Sequence, residues 1–194
     1  MRLFSSHTMI FGPKRSGKSN FLNWLLQRPE YDGHLVYDVC REHNELNRYV
    51  PEYRRGEKAT AEFDGVLGRV VTCNDREKRP DVVAIEEINR FAGSGGSPPE
   101  ELYELIDMNR HYGVGLIGVA RRPASVHSDL VELADSLILF RLRGPNDHRK
   151  LNNIRDGLGE VVDDLGLYEF AVVDPLGELE VYSPVPEQDT TGNL

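Results

Sequence analysis

The chain has 194 residues, 39% of them hydrophobic and 28% charged, with a formal charge of −9. That length suits one core of ordinary size. The acidity argues against a protein that coats nucleic acid with its whole surface, and no apolar run nears the roughly 20 residues that cross a bilayer. The opening residues, MRLFSSHTMIFG, lack the apolar core of a secretory signal, so a chain that stays inside a cell is expected. Cys40 and Cys73 stand outside any CxxC spacing and read as reduced, half-buried thiols, with one disulfide between them as the alternative.

In chain order, HTMIFG (7–12) is a short apolar strand, and a helix follows from about Gly17. That helix buries Phe21, Leu22, Leu25 and Leu26 and stops at Pro29. HLVYDVC (34–40) and GRVVTCN (68–74) read as the second and third strands, and DVVAIEE (81–87) as a fourth, apolar until two carboxylates end it. The glycine–serine loop GSGGSPPE leads into a helix with Ser97 and Glu100 as a capping box around Pro98. Leu102, Leu105 and Ile106 share one face of it, and Gly113 terminates it. GVGLIGVA (113–120) and DSLILFRL (135–142) are two more buried strands, with a short helix in PASVHSDLVELA between them. Residues 167–185 form a β-hairpin turning at DPLG, with Pro175 second and Gly177 fourth. Alternating strands and helices predict an α/β fold: one domain over 1–186, a mostly parallel sheet with an antiparallel hairpin at its edge, and a polar flexible tail over 187–194.

The stretch GPKRSGKS fits G-x-x-x-x-G-K-[ST], with Gly12, Gly17, Lys18 and Ser19 in the fixed positions. The glycines let the backbone wrap phosphates, so that amide N–H groups converge as an anion nest at a helix N-terminus. Lys18 is expected on the β- and γ-phosphates and Ser19 on Mg²⁺. The whole turn, Gly12, Pro13, Lys14, Arg15, Ser16, Gly17, Lys18, Ser19 and Asn20, is the expected nucleotide site, with Lys14 and Arg15 exposed. A chance match in a basic, glycine-rich turn is the alternative; the strand–loop–helix context argues against it.

At the end of the fourth strand, Glu86 occupies the place of the carboxylate that holds Mg²⁺, directly or through water. Glu87 beside it is placed to polarise an attacking water as general base. A pair of solvated strand-end acids is the competing reading. The pairing favours hydrolysis over phosphate transfer to a metabolite.

The segments GPKRSGKSNFL, VVAIEEINRF, NRHYGVGLIGVARRP and ADSLILFRLRGPND, in this order, resemble the FtsK–HerA superfamily of P-loop ATPases over about residues 5–185. Among its branches they look most like the genome-packaging ATPases of tailless icosahedral viruses with an internal membrane. The resemblance implies a RecA/FtsK–HerA-like three-layer sandwich, ATP with Mg²⁺ as cofactors, and a homo-oligomeric ring, a hexamer. It implies sequence-independent backbone contact with double-stranded DNA, docking at a capsid vertex or membrane protein, and residence in the host cytoplasm or the virion. In that family an arginine ending the helix before the next strand reaches into the neighbouring subunit's site; Arg110 stands there, although a cation satisfying the helix dipole would look the same. The family places a polar γ-phosphate sensor at the end of the following strand. Arg121 replaces it here, either touching phosphate or lying on the surface.

Candidates for DNA contact are Arg54, Arg55 and Lys58; Arg76, Lys78 and Arg79; and Arg143, Arg149 and Lys150, each cluster with a solvated-loop alternative. The competing functions are a secretion or filamentous-phage assembly ATPase, a small-molecule kinase, and a nucleotide switch with negligible turnover.

Overall fold

A computed structural model describes residues 6–187. Its strands are β1 (His7–Phe11), β2 (His34–Tyr37), β3 (Arg48–Tyr49), β4 (Val82–Ile85), β5 (Gly115–Ala120), β6 (Ser136–Phe140), β7 (Phe170–Val173) and β8 (Leu179–Tyr182). They form one sheet in the order β3-β2-β4-β5-β1-β6-β7-β8. Every pairing from β3 to β6 is parallel, and β6–β7 and β7–β8 are antiparallel. The helices are α1 (Lys18–Leu26), α2 (Gly56–Val71), α3 (Glu100–Tyr112), α4 (Ser128–Glu132), α5 (Pro145–Ile154) and α6 (Leu158–Asp164).

Because strand side chains alternate between faces, a sheet covered on both sides needs apolar residues at every position. The central strands meet that demand apart from His7 and Thr8 in β1 and Ser136 in β6, which are buried polar residues. Met9 and Phe11 of β1, Val83 and Ile85 of β4, and Leu137 and Leu139 of β6 enter one core, packed by α2 to α6. Ile10, Val82, Ala84, Ile138 and Phe140 enter the other, packed by α1. The result is the expected three-layer sandwich. Burying Phe21, Leu22, Leu25 and Leu26 is worth about 2 kcal/mol per side chain, which fixes α1 and hence the turn before it. Where β5 passes β1, Gly118 allows the close approach: an added Cβ would lie 2.5 Å from the Met9 sulfur.

The hairpin forms as expected, with Gly177 at φ 78° donating its N–H to the Asp174 carbonyl at 2.9 Å. Gly113, at φ 64°, ends α3. Three expectations need correction. Residues 68–71 are the last turn of α2, and 72–74 lie outside any strand. The pair Val70–Val71 has strand propensity, yet Phe63, Val66, Leu67, Val70 and Val71 recur at helical spacing and are buried together against α3. The capping box at Ser97 does not form: α3 starts at Glu100 with Pro99 as its N-cap. A residue before proline is driven out of the α region, and Pro98, which the box would make the first helical residue, precedes Pro99. Finally, β2 stops at Tyr37, because the Asp38 carboxylate turns the chain by accepting the Glu42 and His43 N–H groups, each at 3.1 Å.

Residues 188–194, most of the expected tail, lie outside the described residues; Glu187 is described and lines a cleft at the C-terminal ends of the strands.

Candidate active site

The register aligns the C-terminal ends of three neighbouring strands: Phe11 of β1 lies opposite Ala120 of β5, and Gly118 of β5 opposite Ile85 of β4. The residues that follow each strand therefore converge on one edge, where ligands of open α/β sheets bind. From β1 comes the turn 12–17, from β4 come Glu86 and Glu87, and from β5 comes Arg121. A cleft of about 720 Å³ opens there, lined by residues 14–20, Glu86, Glu87 and Arg121. Phe140, Tyr168, Pro184 and Val185 form its apolar wall.

The turn is held tightly. A Cβ on Gly12 would lie 2.5 Å from Ser16 Oγ and 2.7 Å from Phe140 Cβ, so no larger residue fits. Gly17 caps α1 at φ 102°, a conformation open to glycine, and no side chain caps the helix. The first amides of α1 thus lack the side-chain partner that N-caps usually supply. Ser16 Oγ is buried with no hydrogen-bond partner among the described residues. A glycine cradle, uncapped amides and an orphaned hydroxyl are what an anion seated in the turn would satisfy. Lys14 and Arg15 are exposed.

Lys18 Nζ curls back to donate to the carbonyls of Gly12 at 2.6 Å and Pro13 at 2.9 Å. Burial pushes its ammonium below the ordinary lysine range, while the Glu86 and Glu87 carboxylates pull the other way. Ser19 Oγ donates to Glu42 Oε2 at 2.9 Å. Asn20 Nδ2 donates to the Pro186 carbonyl at 3.1 Å, tying the chain after β8 to the turn.

Glu86 is 4% exposed, and His43 Nε2 sits 2.8 Å from its Oε1. His43, itself fully buried, places Nδ1 2.6 Å from Asn23 Oδ1 on α1. The tautomer that donates from Nε2 to Glu86 leaves Nδ1 to accept from the Asn23 amide turned to present its nitrogen. The loop carrying His43 hangs on Asp38. Burial alone would raise the Asp38 carboxyl, yet Arg48 at 2.6 Å and the two loop amides together hold it below the usual range. None of Asn23, Asp38, Glu42 and His43 was picked out by sequence reasoning. One signal was present for Asp38: a carboxylate directly after an apolar strand, the same pattern that marks Glu86.

Glu87 has φ 50°, the left-handed region, which re-aims its side chain from the strand direction. Its Oε1 accepts from Arg121 Nε at 2.9 Å and Nη2 at 2.8 Å, with Glu87 at 13% side-chain exposure and Arg121 at 52%. Arg121 therefore meets a carboxylate at the cleft. Arg110 is not brought to this cleft. It sits in the last turn of α3, near the opposite ends of the strands, with Nη2 2.9 Å from Asp135 Oδ1 and its side chain 77% exposed.

Among the described residues no three His, Cys, Asp or Glu side chains gather to hold a metal unaided. A cation held partly by phosphate oxygens needs fewer. The Ser19 hydroxyl with the Glu42 and Glu86 carboxylates facing the same cleft is an oxygen set suited to Mg²⁺.

This fold is that of the P-loop NTPases, with the glycine turn 12–17 after the central strand β1 and the acids Glu86 and Glu87 two strands away, after β4. No family model matches the sequence, and no curated protein sequence matches it. Solved structures do. The genome-packaging NTPase B204 from Sulfolobus turreted icosahedral virus 2, in complex with ATP-gammaS, superposes with a TM-score of 0.82 at 20% identity, covering 96% of this chain and 100% of that one. The N-terminal domain of zonular occludens toxin from Neisseria meningitidis gives 0.59 at 11% identity, covering 94% and 95%. The cytoplasmic domain of the type VII secretion ATPase EccC from Thermomonospora curvata gives 0.57 at 14%, covering 94% of this chain and 24% of that one.

Proposed function

We propose that this chain is the subunit of an ATP-hydrolysing motor that moves double-stranded DNA, packaging a viral genome into a preformed capsid. The observation that carries the reading is the convergence of Lys18, Ser19, Glu86, Glu87 and Arg121 on one strand edge, in a chain 96% of which matches the whole of a packaging NTPase. ATP lays its triphosphate along the 12–19 turn and its base toward Phe140, Tyr168 and Val185. Lys18 exchanges the carbonyls of Gly12 and Pro13 for the β- and γ-phosphate oxygens. Ser19 and Glu86 would hold Mg²⁺, with Glu86 kept in place by His43, and the bound ion would supply Lewis-acid neutralisation of the phosphate charge. Glu87 orients a water in line with the γ-phosphorus and takes its proton as the new P–O bond forms and the bond to ADP breaks. Arg110, exposed on the far edge, completes a neighbour's site in a ring, for which six subunits are the expected number. The ring docks at a capsid vertex or a membrane protein, in the host cytoplasm or the virion.

The likeness to EccC favours one second reading, transport of protein rather than DNA. Steady-state ATPase rate against protein concentration, with and without duplex DNA, separates the two. The motor reading expects turnover that rises steeply with concentration and with DNA, and Glu87→Gln lowering it about 10²–10⁴-fold with ATP affinity retained. A rate indifferent to both concentration and DNA would refute it.

A further inference from the structure

A second cleft, of about 500 Å³, shares a wall with the first. Glu87 and Arg121 line both. Its other walls carry Arg54 and Arg55 before α2, Arg90 after β4, and Arg122 after β5. In a chain of charge −9, five of the 23 lysines and arginines thus surround one opening, all of them exposed, and Glu87 is the one acid among the described residues that line it. Glu87 is already taken by Arg121. Arg122 is shared with Asp147 at 2.9 Å, and Arg90 reaches the Arg54 carbonyl at 3.3 Å, which draws these two walls together. The N-terminus of α2, a 16-residue helix without a side-chain cap, opens into the same space through Gly56, Ala59 and Thr60. Concentrated guanidinium groups at an uncapped helix start make a phosphate-binding surface.

We infer that this second cleft seats the phosphates of a duplex DNA backbone, and that a phosphate there competes with Glu87 for Arg121. The inference deepens the proposed motor function and rests on it. While Arg121 holds both hydrogen bonds to Oε1, the carboxylate is neutralised and turned from the water it must aim. A backbone phosphate drawn in by Arg54, Arg55 and Arg90 carries the same single negative charge as the carboxylate and offers Arg121 a pair of oxygens equally suited to its fork, so the surrounding guanidinium groups that seat it tip the exchange. Release of Glu87 then admits hydrolysis. DNA in the second cleft and catalysis in the first become one linked equilibrium through a single side chain, and the two clefts need no other moving part. Backbone phosphates carry no sequence, as a pump of any genome requires.

The test uses the full chain and a fluorescent duplex of random sequence. The double variant Arg54→Ser/Arg55→Ser touches neither nucleotide nor water. It should keep the DNA-free ATPase rate, bind duplex more weakly, and lower the salt slope of log K by about 2. Arg121→Gln should raise the DNA-free rate about fivefold or more and respond no further to duplex. A double variant with unchanged DNA affinity and stimulation overturns the site, and an Arg121→Gln rate that stays level or falls overturns the competition for Arg121. Stimulation of the wild type by inorganic phosphate alone would assign the cleft to free phosphate and overturn the duplex. Should duplex fail to bind or stimulate the wild type at all, the motor reading itself falls, an outcome distinct from the other three.

Discussion

Acid should loosen β1, the strand that runs into the turn 12–17. His7 opens β1, is 1% exposed, and is clamped through its backbone: its N–H donates to Asp135 Oδ2 at 2.8 Å, and its carbonyl accepts from the Asp135 N–H at 2.8 Å. Burial pushes its imidazole from 6.5 down to about 4, with Asp135 only partly countering. The unfolded chain therefore takes up the proton first, so the stability held above pH 6.5 is lost as pH falls from 6.5 towards 4. At 1.36 kcal/mol per pH unit the loss amounts to about 3 kcal/mol, a large share of an ordinary domain's 5–15 kcal/mol. Asp38 and Glu62, whose carboxyls are held below their usual range, lose their share at lower pH, which leaves this window chiefly to the imidazole. Urea unfolding followed by the fluorescence of Trp24, the chain's one tryptophan, at pH 7.5, 6, 5 and 4 measures it. His7→Gln, which does not titrate, should flatten the curve by about that amount. Parallel pH curves for the two proteins would refute the reasoning.

Other expectations follow from the cleft. His43→Ala removes the donor from a buried carboxylate, and should cost about 3 kcal/mol in urea unfolding; it should also weaken the Mg²⁺ dependence of ATP binding in titration calorimetry. Gly12→Ala forces a Cβ against Phe140 and Ser16, and should destabilise the chain by about 1–3 kcal/mol while abolishing retention on ATP-agarose. Burial, with help from Glu86 and Glu87, pushes the Cys40 thiol up to about 11. Its thiolate fraction at pH 8 is then about a hundredfold below that of an ordinary thiol. Iodoacetamide labelling read by peptide mass should be correspondingly slow at Cys40, and slower again with ATP in the cleft.

What could be read before the structure was whatever the chain encodes locally. The turn at 12–17 is legible because its glycines, Lys18 and Ser19 keep a fixed spacing, and β4 because its run VVAI is apolar at every position. The hairpin at DPLG is legible from turn chemistry alone. Errors arose where two local signals competed: Val70–Val71 speak for a strand, and only the period running back to Phe63 overrules them. The Ser97 cap failed for a similar reason, two prolines outweighing a good motif. The pairing of His43 with Glu86 across 43 positions is a different matter, since neither residue's neighbours hint at the other. Nor does sequence show that Arg121 faces Glu87, because that depends on the register of β4 against β5.

The hydrogen bond from Asn20 to Pro186 makes the last described residues a side of the larger cleft instead of an appendage. Any affinity handle fused beyond Glu187 would hang its weight on that side. Exchange rates measured with such a handle would report the fusion as much as the enzyme, so the handle is better cleaved off before nucleotide kinetics are taken.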